Sequence, residues 1–170
     1  MPLIREERQD DLDAVREVLK AAFRREAESR LVERLRASGK AVLSMVAEER
    51  GRILGHVLFS PVWIDTGGTR QPALALAPLA VVPAFQRLGI GSALVSAGLE
   101  RWRELRAERV LLVGDPAYYA RFGFVPASRF GVKYPFPVPE EAFMALELVA
   151  GAFSGCAGTA QYGHEFDDLE

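Results

Sequence analysis

The sequence predicts an α/β (α+β) fold, a mixed and mostly antiparallel central sheet with helices on both faces. Three observations carry that prediction. Two extended runs, residues 41–49 and 53–65, are separated only by Arg50-Gly51-Arg52, the mark of a hairpin. An apolar run over residues 73–83, a helical pattern over 92–106 and a second apolar run over 109–114 then read as strand, helix, strand. Finally, 170 residues with 49% hydrophobic and 26% charged composition suit one domain around one core.

Taken in order, residues 3–6 form a short first strand. Asp10 or Asp11 caps a helix that carries Leu12, Val15, Leu19 and Phe23 on one face. Residues 28–39 repeat the helical pattern with Leu31 and Leu35 and close at Gly39. The hairpin follows, then a loop over residues 67–72 and the apolar run 73–83, suited to a central strand covered on both faces. From Ser92 to Arg106 the residues Leu94, Val95, Leu99, Trp102 and Leu105 make a broad apolar face. Residues 109–114 are a buried strand. Asp115, Pro116 and Gly123 are cap, first position and end of a short helix, and residues 142–149 a late strand. Residues 151–170 carry little pattern, so the chain divides into a domain over 1–150 and an extension over 151–170 packed on it. The acidic end of that extension reads as solvated.

Composition narrows the function. No apolar run has the roughly 20 residues of a membrane span, and the charged N-terminal stretch lacks the apolar segment of a signal peptide. A single cysteine, Cys156, forms no internal disulfide, so the expected compartment is the cytoplasm. A formal net charge of −2 favours neither nucleic acid nor acidic membranes. Two histidines and one cysteine are a poor donor set for a transition metal, and no metal is expected.

Chemistry concentrates at the end of the central run. There Gln86-Arg87-Leu88-Gly89-Ile90-Gly91-Ser92 leaves the strand and starts a helix. Glycines let a ligand approach the backbone, and the first amides of a helix attract anions. Arg87 adds a charge-assisted hydrogen bond. The spacing fits a phosphate site and a plain glycine turn equally. It fits neither a P-loop nor a dinucleotide fingerprint, since no Gly-Lys-Ser/Thr occurs and the third glycine position is Leu94.

The run Gln86-x-x-Gly89-x-Gly91 resembles the Q/R-x-x-G-x-G/A signature of the GNAT superfamily of acetyl-CoA-dependent N-acetyltransferases, and Tyr119-x-x-x-Gly123-Phe124 resembles its Y-x-x-x-G-F segment. The element order agrees over residues 3–127. Residues 55–62, 76–91 and 114–124 are similar to a bacterial group of mostly uncharacterised GNAT acetyltransferases. The resemblance implies a GNAT fold with acetyl-CoA in a splay between two parallel strands. It implies backbone contacts from Leu79, Ala80 and Val81 to the pantetheine arm. The pyrophosphate would sit on the amides of Arg87, Leu88, Gly89, Ile90, Gly91 and Ser92. Tyr119 is the implied general acid.

Acetyl transfer to an amine needs the amine neutral, the thioester carbonyl polarised and a proton for the departing thiolate. His56 is the candidate base because imidazole titrates near neutrality; Glu48, Glu49 and Asp65 are alternatives, as is ordered water. Arg121 fits either a cofactor phosphate or the surface. Residues 130–143, rich in aromatics and proline, would line a pocket or brace a loop. The acceptor is a small-molecule or peptide amine, and a homodimer is compatible with the chain. A non-catalytic acyl-CoA sensor on the same fold is the alternative, distinguished by cofactor binding without turnover.

Overall fold

The computed structural model describes residues 1–169. Among them no helix is long and apolar enough to cross a membrane, and no three His, Cys, Asp or Glu side chains cluster as metal ligands. The chain folds as two compact units, between which β3 and β4 are divided.

The first unit contains residues 1–60, 77–101 and those from His164 on. Strands β1 (Leu3–Glu6), β2 (Leu43–Glu49) and the first part of β3 (Arg52–Asp65) pair antiparallel in chain order. The turn between β2 and β3 holds Arg50 and Gly51 at φ of 53° and 77°, the paired left-handed backbone of a two-residue hairpin turn. The end of β4 (Arg70–Val81) runs beside β3, where the Val82 N–H donates to the Leu54 carbonyl at 2.9 Å. Three helices complete the unit: α1 (Leu12–Phe23), α2 (Ala27–Ala37) and α3 (Ile90–Glu104).

The helices bury most of the face their periodicity predicts, with Val15 and Leu19 of α1, Leu31 and Leu35 of α2, and Leu94 and Leu99 of α3 in the core, whereas Leu105 lies past the end of α3 at Glu104 and is exposed. Consecutive β3 residues show that helices cover both faces. A Cβ on Gly55 would lie 2.9 Å from Leu94, so that side meets α3. The next residue, His56, points the opposite way, toward the ion pair of Glu7 with Arg36 on α2.

Three expectations in this unit are corrected. Helix α3 starts at Ile90, not Ser92: the Gly89 carbonyl accepts the Ala93 N–H at 3.0 Å, and buried Ile90 supplies the first apolar position. Asp11 does not cap α1 with its side chain. Its carboxylate accepts from both Arg5 terminal nitrogens, at 2.7 and 3.0 Å, and from the Arg8 N–H at 2.6 Å. The acidic C-terminal end is only partly solvated: Asp167 and Asp168 are exposed, but the turn is anchored. In the 3-10 turn His164–Leu169, Phe166 is buried, Glu165 pairs with Lys40 at 3.1 Å, and Asp168 meets Arg34 of α2 at 2.7 Å.

The second unit contains Pro61–Leu76 and Trp102–Gly163. Here β4 runs parallel to β5 (Arg109–Val113) through Leu74–Val110 and Ala75–Leu111. The hairpin-free connection through α3 accounts for the parallel sense. Next to the turn α4 (Pro116–Tyr119), two short strands follow, β6 (Val125–Pro126) and β7 (Val132–Lys133). Then come β8 (Phe143–Glu147), antiparallel to β5, and β9 (Gly158–Gln161), antiparallel to the end of β3 and parallel to β7. The pairings are thus mixed and mostly antiparallel. Strands β6, β7 and β9 have no signature in sequence, being two to four residues long in proline- and glycine-rich chain. Buried Arg109 ties this unit together, donating to the Ala152 carbonyl at 2.6 Å and the Pro72 carbonyl at 2.8 Å.

Candidate active site

In the first unit, β4 ends at Val81 and a 3-10 turn, Pro83–Phe85, carries the chain out of the sheet. Proline at the first position of that turn has no N–H to offer a neighbouring strand, so pairing stops there. The next four residues, Gln86 to Gly89, are exposed. Arg87 and Gly89 take left-handed backbone, at φ of 64° and 89°. Alternation of hand turns successive N–H groups toward one concavity, an anion-binding geometry. Helix α3 follows at once, adding first-turn amides that have no acceptor inside the helix. No atom lies within 4 Å of where a Gly89 Cβ would be, so the backbone faces open space. The loop therefore offers a phosphate its backbone dipoles and the adjacent Arg87 guanidinium.

The strand leading into this loop lies against β3. Ala80 is buried, and its carbonyl would lie 3.2 Å from a Cβ on Gly55. Leu79 and Val81 are half-buried. The Val81 carbonyl accepts a hydrogen bond from Gln86 Nε2 at 3.0 Å, so part of the Val81 backbone is engaged within the protein. Gln86 thus fastens the loop to the strand. Sequence reading gave it no role, although it is the first residue of the glycine motif.

In the second unit, Asp115 caps α4 by accepting the Ala117 N–H at 3.0 Å, and Pro116 occupies the first helical position. The cap delivers Tyr119 at the end of that single turn. Its ring packs edge-to-face on Tyr118 at 4.9 Å and on Phe124 at 5.9 Å. Burial, reinforced by Tyr118 and Asp115, raises the Tyr119 pKa above its ordinary value, so the phenol stays protonated through the physiological range. The ring lies against the α-carbon of Gly114, where a Cβ would come within 2.5 Å of Tyr119 Cε2. Only glycine at 114 leaves room for that ring, a constraint one sequence alone does not display.

The remaining candidates fall elsewhere. His56 is fully buried, its Nε2 2.8 Å from the Ser44 hydroxyl and 3.9 Å from Glu7. Burial, with the Arg36 charge behind it, pushes its pKa down to about 3. This is a neutral core imidazole with no exposed surface to present to an amine. Glu48 is paired to Arg5 at 2.7 Å, Glu49 to the N-terminal ammonium at 3.4 Å, and Asp65 accepts the Gly67 N–H at 3.0 Å. The Arg121 guanidinium lies over the Tyr118 ring at 4.4 Å, its Nε donating to the Tyr118 carbonyl at 3.2 Å.

The chain thus combines a mixed sheet, an exposed glycine loop opening α3 and a protonated tyrosine on a one-turn helix. Residues 3–127 match the acetyltransferase (GNAT) domain, and the chain belongs to the GNAT family of acetyltransferases. The uncharacterised N-acetyltransferase YhbS of Escherichia coli K12 is 35% identical over 166 residues, 97% of this chain and 98% of its own. The crystal structure of E. coli YhbS in complex with CoA superposes with a TM-score of 0.93 at 34% identity, covering 99% of this chain and 93% of the other. A GNAT family acetyltransferase from Brucella melitensis in complex with acetyl-CoA gives a TM-score of 0.81 at 36% identity, covering 98% and 99%.

Proposed function

We propose that this chain moves the acetyl group of acetyl-CoA directly to a primary amine, working in the cytoplasm through a catalytic domain over residues 1–150 with residues 151–170 as an extension packed on it. The observation that carries the reading is the exposed loop of alternating backbone hand, Arg87 to Gly89, opening α3. It suits a pyrophosphate because backbone dipoles and one guanidinium are its only chemistry. Crystallised relatives that hold CoA and acetyl-CoA support the same assignment.

In this reading the amides from Arg87 to Ser92 hold the pyrophosphate, and the backbone of Leu79, Ala80 and Val81 aligns the pantetheine arm. Acetyl-CoA supplies an activated thioester carbonyl. The amine nitrogen forms a bond to the carbonyl carbon, the carbon–sulfur bond breaks, the amine loses one proton and the departing sulfur gains one. Tyr119 stands as the donor to that sulfur. Its phenol is protonated, and no described residue hydrogen-bonds its hydroxyl. Water takes the amine proton, a role that fully buried His56 is not placed to fill. Titration calorimetry with acetyl-CoA tests the reading. Saturable binding with one site per chain is expected, and no binding at millimolar acetyl-CoA overturns it.

A further inference from the structure

We propose that Arg52 binds the 3′-phosphate of CoA, so that the chain takes acetyl-CoA in preference to its 3′-dephospho form. The inference rests on the acetyltransferase reading above and deepens it, with a residue outside the glycine loop. Arg52 is the first residue of β3, just after the hairpin turn. That end of β3 lies at the exit of β4, where the Val82 N–H reaches the Leu54 carbonyl. Phe85, in the exit turn, meets the Arg52 guanidinium, whose central carbon is 5.4 Å from the ring centre. The loop residues Gln86 and Arg87 follow Phe85 directly. Between hairpin and turn lies a cavity of about 320 Å³, floored by buried Leu54 and walled by Phe85, Glu49, Arg50 and Arg52.

The charges around this cavity fit a phosphate. Arg50 and Arg52 are exposed, and among the described residues neither has a carboxylate partner. Other arginines of the same unit differ: Arg5 pairs with Asp11 and Glu48, Arg16 with Glu33, and Arg36 with Glu7. Glu49, the cavity's one carboxylate and the cross-strand neighbour of Arg52, meets the N-terminal ammonium at 3.4 Å. A guanidinium resting on an aromatic face keeps its N–H edge for an anion, and its fork matches two phosphate oxygens.

The ligand supplies the matching charge. In CoA the 5′-diphosphate and the 3′-phosphate are carried by the same ribose, so a protein that holds one has the other close at hand. In the reading above, the loop amides and the Arg87 guanidinium serve the diphosphate. The 3′-phosphate is a monoester bearing about −1.5 to −2 charges at pH 7, and residues 86–92 hold no second cation for it. Arg52, resting on the residue that leads into the loop, is that cation, and Arg50 adds to the local positive field.

Titration calorimetry tests this by comparing acetyl-CoA with 3′-dephospho-acetyl-CoA on wild type and Arg52→Gln. Arg52 is exposed, so the substitution leaves the fold intact. The wild type is expected to bind acetyl-CoA at least about tenfold more tightly than the dephospho form, the size of one charge-assisted hydrogen bond. Arg52→Gln should bring the two ligands within about twofold of each other, by weakening acetyl-CoA and not its dephospho form. Equal wild-type affinity for the two ligands overturns the inference, as does a variant that keeps the wild-type preference. An equal loss for both ligands in the variant overturns it too, since Arg52 would then serve the diphosphate or the shape of the loop. If the wild type binds neither ligand at millimolar concentration, the transferase reading falls and the inference falls with it.

Discussion

The loop from Gln86 to Gly91 and the segment from Ser128 to Phe143 are built from opposite materials. The first is nearly all backbone: two left-handed residues, one helix start, and a glutamine that ties loop to strand. The second is nearly all side chain, three rings and two valines around a cavity of about 270 Å³. Backbone recognition needs particular residues at fixed spacing, because only some residues tolerate the required dihedrals and close approach. Side-chain recognition needs only the right volume and chemistry, which many sequences supply.

The largest effect should come from breaking the backbone half. Gly89→Glu places a carboxylate at the proposed pyrophosphate site and forces a φ of 89° on a residue with a Cβ. The strain is worth about 1–2 kcal/mol, and charge repulsion adds to it. Acetyl-CoA affinity measured by calorimetry should fall by at least about 100-fold. Gly89→Ala separates the two contributions and should lose distinctly less. Equal losses in the two variants would mean that strain, not charge, governs the loop.

Tyr119→Phe removes only a hydroxyl and keeps the ring contacts with Tyr118 and Phe124. Its kcat should drop by about 100-fold, in the range general acids contribute, while acetyl-CoA affinity stays within about twofold. Wild-type turnover in this variant would remove Tyr119 from the chemistry. Gly114→Ala sharpens the point without touching the phenol. The added methyl would sit 2.5 Å from Tyr119 Cε2, so the ring must swing away. Turnover should fall by about tenfold, with acetyl-CoA binding again preserved. A kcat matching wild type would show that the ring's position is not what Gly114 protects.

The same division governs how much was legible in sequence. The hairpin at Arg50-Gly51, the faces of α1 to α3 and the strand-helix-strand unit follow from apolar periodicity and turn residues, and the structure has them. The glycine loop was legible for the reason just given. Gly114 was not, because its demand comes from a ring five residues along that happens to fold back on it. Strands β6, β7 and β9 escaped because two to four residues carry no period, and pairing partners rather than propensity make them strands. The C-terminal turn escaped because its charges are matched by Lys40 and Arg34, more than 120 residues earlier, a pairing no local pattern encodes.

His56 marks the limit of reading chemistry from residue type, and it yields the prediction with the smallest effect on activity. A histidine in sequence suggests a base near neutrality, but full burial beside Arg36 takes this one down to about 3. The unfolded chain, with the ordinary value of 6.5, binds a proton below that pH that the folded chain refuses. Stability is therefore unaffected by this group above pH 6.5. It is lost as pH falls toward 3, by up to about 1.4 kcal/mol per pH unit. Thermal melts from pH 8 to pH 4 should show a flat Tm above 6.5 and a decline below it. The decline should be shallower in His56→Gln, whose amide can still reach the Ser44 hydroxyl. The pH–rate profile of that variant between pH 6 and 9 should follow wild type, because a neutral core imidazole has no proton to exchange there. Loss of an acidic limb near pH 6–7 in His56→Gln would instead restore His56 as the base, and would require the core around it to open during turnover.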